Sequence, residues 1–151
     1  MFVDLILAIA HHLLIFALAA ALAAEFVLVR PGLAGRDVKL VGHIDQAYGG
    51  LAGVVIVIGV LRVIFGLKGW EFYVYNWAFW AKMAAFAATG LISILPTARI
   101  LSWRKAAEAS PGIYVVPDNE IAAVRRYVRL GVATFLLIPV FAAMMARGVG
   151  G

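Results

Sequence analysis

Four apolar stretches dominate this chain of 151 residues, and each is long enough to cross a bilayer. Together they take up roughly two thirds of the sequence and leave about 45 residues for connectors and ends, too few for a second folded domain. The expected architecture is all-α: a polytopic membrane protein built as a four-transmembrane-helix bundle. A single integral membrane domain covers 1–151, with helices over about 2–29, 44–66, 76–103 and 119–146. Hydrophobic residues make up 65% of the chain and charged residues 14%, against about half and about a quarter in an average soluble domain. A soluble enzyme, a secreted disulfide scaffold and a disordered chain are excluded. The absence of cysteine further removes thiol catalysis, thiolate metal sites and covalent c-type haem attachment.

The net charge of +5 points to lipid headgroups and not to nucleic acid. Basic residues cluster beside the spans, and no interleaved basic and aromatic surface is visible. Connectors one and three carry Arg30, Arg36, Lys39, Arg104, Lys105, Arg125 and Arg126, with Arg99 and Arg129 close by. The opposite side has Lys68 and Arg147, plus Arg62 just inside the second span. The positive-inside rule then places both termini outside the cytoplasm.

The Ala-rich end of the first span, Ala19 to Ala24, has the look of a signal-peptide cleavage region. Asp4, with no Lys or Arg before the apolar run, argues for a retained helix. Residues Arg30 to Gly42 read as a polar connector, and Ser110-Pro111-Gly112 as a turn. Asp118 or Asn119 is placed to cap the fourth span, and Pro96 should kink the third. Gly49, Gly50, Gly53 and Gly59 should let helix backbones approach closely. Trp70, Tyr73, Tyr75, Trp77 and Trp80 form an interfacial aromatic belt.

Ionisable groups inside hydrocarbon cost several kcal/mol and ask for a partner or a job. On a 100° helical wheel Asp4, His11 and Glu25 share one face of the first span, and His12 projects about 100° away. Both histidines lie about 15 Å deep. An imidazole there either ligates a metal or haem, relays protons, or bonds a neighbouring helix. Lys82, about 9 Å into the third span, shares a stripe with Phe79, Phe86, Thr89 and Ser93. It either snorkels to the interface or faces the bundle, where burial favours a neutral amine with a lone pair for a metal. Arg62 pairs with Asp4 or Glu71, or grips a ligand carboxylate bidentately. Glu25, His43, Asp45, Tyr48 and Arg99, with Arg125, Arg126 and Arg129 opposite, are expected to form interhelical ion pairs, a proton path or an anionic headgroup site being the alternative. Met144-Met145 reads as filling. Phosphate loops, His-x-x-x-His spacings and nucleophilic triads are missing.

One order of motifs carries a resemblance. Glu25-Phe26-Val27-Leu28-Val29-Arg30-Pro31 follows the His-bearing span. Asp45-Gln46-Ala47-Tyr48-Gly49 comes next, then Arg62 with Gly66-Leu67-Lys68-Gly69, then Asn76-Trp77-Ala78-Phe79-Trp80-Ala81-Lys82. Over nearly its whole length the chain resembles an uncharacterised family of bacterial four-helix membrane proteins. That family is similar in turn to the CopD-like group, which includes the HemJ-type protoporphyrinogen oxidases. The resemblance implies an inner (plasma) membrane location, haem b, and an oxidoreductase acting on a tetrapyrrole or quinone. A His in the first helix and a Lys early in the third are the matching positions, here His11 or His12 and Lys82. His11, which shares its stripe with Asp4 and Glu25, would ligate the haem iron. Lys82 would be the opposite ligand or a proton donor, and Arg62 would neutralise a propionate. The end of the first helix departs from the HemJ pattern. The competing expectation is a non-enzymatic accessory or scaffold subunit, monomeric or homo-oligomeric, whose buried charges are structural.

Overall fold

The computed structural model describes residues 2–110 and 112–149; Met1, Pro111, Gly150 and Gly151, and with Pro111 the centre of the expected Ser110-Pro111-Gly112 turn, lie outside them. Its elements are α1 (Phe2–Leu28), α2 (Gly35–Phe65), α3 (Gly69–Val74), α4 (Trp77–Ala109) and α5 (Asp118–Ala146). The chain is an all-α, polytopic membrane protein: the four long helices are long and apolar enough to cross a membrane. They contain 27, 31, 33 and 29 residues, or about 40–50 Å at 1.5 Å per residue, more than the ~30 Å of hydrocarbon.

Helix α1 packs on α2, α2 on α4, α4 on α5, and α5 returns to α1, leaving α1 and α4 diagonally opposed. Large side chains such as Leu13, Phe16, Ile64, Leu91 and Leu136 point outward, where lipid solvates them as well as a core would. Two apolar layers fill the interior. One, at the end bearing the two longer connectors, joins Val29, Val41, Ile100, Trp103, Val116 and Ile121. The other, nearer the termini, joins Leu18, Leu22, Tyr48, Val55, Ala85 and Phe135.

The helices outrun the expected spans because hydropathy marks only their hydrocarbon-embedded part. Helix α2 starts at Gly35, so Arg36, Asp37 and Lys39 belong to its first turns and not to a loop. The remaining connector turns at Gly32 (φ 83°) and Gly35 (φ 54°), conformations that favour glycine. It is pinned to the last connector by a bridge between Ala34 and Val115. Gly35 N donates to Tyr114 O at 2.9 Å, and Val116 N to Leu33 O at 3.0 Å. The third span likewise continues through Pro96 to Ala109.

Two capping details differ from expectation or add to it. Neither Asp118 nor Asn119 caps α5: Pro117 occupies that position and Asp118 is the first helical residue, where its carboxylate complements the helix dipole. Helix α4 is capped by Asn76, whose Oδ1 accepts from Ala78 N at 2.9 Å. In the aromatic belt Trp70, Tyr75, Trp77 and Trp80 are exposed, whereas Tyr73 is buried.

Candidate functional site

Three basic side chains converge inside the half of the bundle nearer the termini. His11 comes from α1, Arg62 from the last turn of α2 and Lys82 from the second turn of α4. None is exposed. Arg62 and Lys82 both lie within Coulombic reach of His11, and Arg62 within reach of Lys82. His11 Nδ1 and Arg62 Nε are buried without a hydrogen-bond partner. The imidazole rests on the α2 backbone at Gly59, where a Cβ would sit 3.7 Å from His11 Cε1. Lys82 Nζ stands 5.2 Å from the centroid of the Phe79 ring, within range of a cation–π contact. Lys82 is therefore half-buried on the bundle side, with Nζ reaching back toward Phe79 near the start of α4.

Among the described residues neither Asp4 nor Glu71 forms an ion pair with Arg62. Asp4 Oδ1 instead faces the backbone N of Leu67 at 3.4 Å. The cluster thus lacks a neutralising carboxylate of its own among the described residues. The adjacent histidines divide as their 100° separation requires. His12 is exposed, and its Nδ1 lies 2.7 Å from Ala8 O. A carbonyl only accepts, so His12 Nδ1 carries the hydrogen.

A second polar layer lies between the two apolar cores. Glu25 follows Leu22 and precedes Val29, and Asp45 lies between Val41 and Tyr48, so each acid is flanked by one residue of each core. Glu25 is 3% exposed and Asp45 2%, and the two interact electrostatically. Thr97 Oγ1 of α4 donates to Asp45 Oδ1 at 2.7 Å. Glu25 Oε1 and Asp45 Oδ2 have no partner. The expected interhelical ion pairs are therefore corrected. Arg99, Arg126 and Arg129 are exposed, and the one ion pair among the described residues is Arg104–Glu108, within α4 at 2.9 Å. His43, also exposed, bonds Lys39 O at 2.7 Å.

Next to the acids a cavity of about 170 Å³ opens between α2 and α4. Tyr48, Thr89, Ser93 and Thr97 bring hydroxyls to its wall, and Gly49 and Gly90 leave it room. Thr89 and Ser93 belong to the stripe read from the sequence together with Lys82. Thr97 was missed, although it extends that stripe by one further step of four residues. Of the glycines expected to admit a neighbouring helix, only Gly59 meets one; Gly49, Gly50 and Gly53 would find nothing within 4 Å of a Cβ.

Among the described residues no three His, Asp or Glu side chains come together in a group able to hold a bare metal ion. Comparison with known proteins supplies a family: residues 3–150 match the model described as "Predicted membrane protein (DUF2214)", and the chain belongs to that family. Neither a curated protein nor a solved structure matches it.

Proposed function

We propose that this member of the family is a haem-b-binding redox protein of the bacterial inner membrane, with both termini outside the cytoplasm. The observation that carries the reading is the convergence of His11, Arg62 and Lys82. Unneutralised basic groups in hydrocarbon cost several kcal/mol, and together they ask for an anionic ligand.

The donor set fits a haem. A haem brings its own ring of nitrogen donors and would ask the chain only for one or two further ligands, a demand His11 and Lys82 could meet. His11 Nδ1, buried and unpartnered, would ligate the iron, and Arg62 would hold a propionate. Lys82, on the diagonally opposed helix, would offer a neutral amine to the iron or an ammonium to a bound substrate. Bound haem supplies one-electron chemistry; the chain excludes water, orients the ring and holds a proton at Lys82 Nζ. The likeness of His11 and Lys82 to the HemJ-type pair favours a tetrapyrrole or quinone as the reaction partner.

The test is a visible absorption spectrum of the detergent-purified protein after expression with haem precursor, oxidised and then reduced with dithionite. The expected result is a Soret band that shifts on reduction and is lost in His11→Ala and Lys82→Ala. A featureless spectrum that persists after reconstitution with haemin overturns the reading. A second reading, a non-enzymatic scaffold or accessory subunit that self-associates, is favoured by Gly49, Gly50 and Gly53, which present an open face to the bilayer. It predicts colourless oligomers in sedimentation that dissociate in Gly53→Leu.

A further inference from the structure

We infer that Glu25 and Asp45 form a proton-binding site that holds one exchangeable proton between α1 and α2, served by the hydroxyl-lined cavity beside it. The inference is independent of any cofactor at His11.

The two acids come from different helices, are almost completely buried, and each keeps an oxygen with no hydrogen-bond partner. Buried polar atoms in a membrane bundle are ordinarily satisfied, so two orphan carboxylate oxygens in one buried layer mark a missing hydrogen. Two like charges buried within electrostatic reach of one another are disfavoured in a medium of low dielectric. A single proton resolves both faults. It sits on one carboxyl, and the pair carries one negative charge in place of two.

The surroundings leave no other source of compensation. From α1 only Glu25 enters the layer. Helix α2 adds Asp45 and Tyr48, whose phenol interacts with both acids, and α4 adds the Thr97 hydroxyl. From α5, Arg125 and Arg129 line a crevice with Phe26 and Val29, and neither is ion-paired with the acids. His43 and Arg99 are exposed.

The cavity gives the proton a route. Tyr48 and Thr97 touch both the acid layer and the cavity wall, and Ser93 and Thr89 continue the hydroxyl row away from it. The cavity, about 170 Å³, is roomy enough for water; its wall is mostly apolar, so water would be held at the end where Tyr48 and Thr97 bring hydroxyls toward the acids. Uptake then adds one proton from that water to the dianionic pair, and release returns it.

The experiment is infrared difference spectroscopy of the reconstituted full chain, following the carbonyl stretch of protonated carboxylic acids. Solvent-exposed carboxyls are ionised at neutral pH. The expected result there is a band worth about one buried acid per chain. It moves on transfer to D2O and is lost in the Glu25→Gln, Asp45→Asn double variant. Absence of the band from the wild-type protein at neutral pH overturns the proposal, and so does a band that survives in the double variant. Loss of the wild-type band when sodium replaces choline at constant pH and ionic strength also overturns it, because a metal cation is then the occupant. The wild-type measurements decide the matter even where the variant does not fold.

Discussion

The indole nitrogen of Trp103 donates to Glu120 Oε2 at 2.7 Å, tying the end of α4 to the first turn of α5. Trp103 is also among the largest fully buried side chains and packs with Val29, Val41 and Ile100. Volume and hydrogen bond contribute separately. Trp103→Ala should cost about 3–5 kcal/mol, as large-to-small core changes do. Trp103→Phe keeps most of the volume and gives up the bond, at about 1–2 kcal/mol. Thermal unfolding in detergent, read by circular dichroism, ranks the two.

The Arg104 side chain of α4 packs against α2 at Gly42, where a Cβ would lie 2.7 Å from Arg104 Cδ and 3.1 Å from Arg104 Cβ. Arg104 is not free to swing away, because it bonds Gln46 Oε1 at 3.1 Å and Glu108 Oε1 at 2.9 Å. Gly42→Val should therefore destabilise by about 1–3 kcal/mol, the usual range for overpacking. Gly53→Ala, where nothing lies within 4 Å, should be neutral or slightly stabilising. Equal midpoints for the two variants would contradict the close approach.

Thr89 Oγ1 lies 2.9 Å from Thr134 Oγ1 between α4 and α5; each hydroxyl has one hydrogen, so Thr89 donates either to Thr134 or to Ala85 O of its own helix, while Thr134 donates to Leu130 O. Because Thr89 can turn its hydrogen to Ala85 O when the partner is lost, the interhelical term should be small. A double-mutant cycle with Thr89→Val and Thr134→Val is expected to return a coupling of about 0.6 kcal/mol, the average for such bonds in membrane bundles.

The four spans were legible because hydropathy and length alone determine them. The facing of His11 and the stripe Phe86, Thr89, Ser93 were legible from the 100° helical period. The ends of α2 and α4 were not: Arg36, Asp37, Lys39 and Glu108 look like loop residues in a hydropathy reading, yet a helix entering the headgroup region keeps its own backbone bonds. Nor was the company of Glu25. Sequence assigned it an arginine by counting charges, whereas the register between α1 and α2 sets it against Asp45. Relative rotation and depth of two packed helices depend on side-chain fit, which no single-helix period encodes.

The basic cluster and an ordinary ion-pair network make opposite predictions for stability. Removing one member of a satisfied pair leaves a buried charge and is costly. Among the described residues His11, Arg62 and Lys82 have no carboxylate partner, so Lys82→Met removes a repulsion. In protein purified without haem, Lys82→Met should unfold at the same temperature as wild type or higher. A fall of several degrees would mean that Lys82 has a stabilising partner and that the cluster is not waiting for an anion.

The adjacent histidines offer the sharpest discrimination. His11 turns inward toward Arg62 and Lys82 with a free Nδ1, whereas His12 faces outward with Nδ1 committed to Ala8 O. For a ligand held inside the bundle, His11→Ala should abolish the Soret band and His12→Ala should leave it at essentially wild-type intensity. Both variants lose one imidazole at nearly the same depth, so a general loss of folding affects them alike. Circular dichroism on the same samples confirms that the helices remain. Loss of the band in His12→Ala with retention in His11→Ala would move the ligand to the lipid-facing side of α1, where only a second copy of the chain or another membrane protein could close the site.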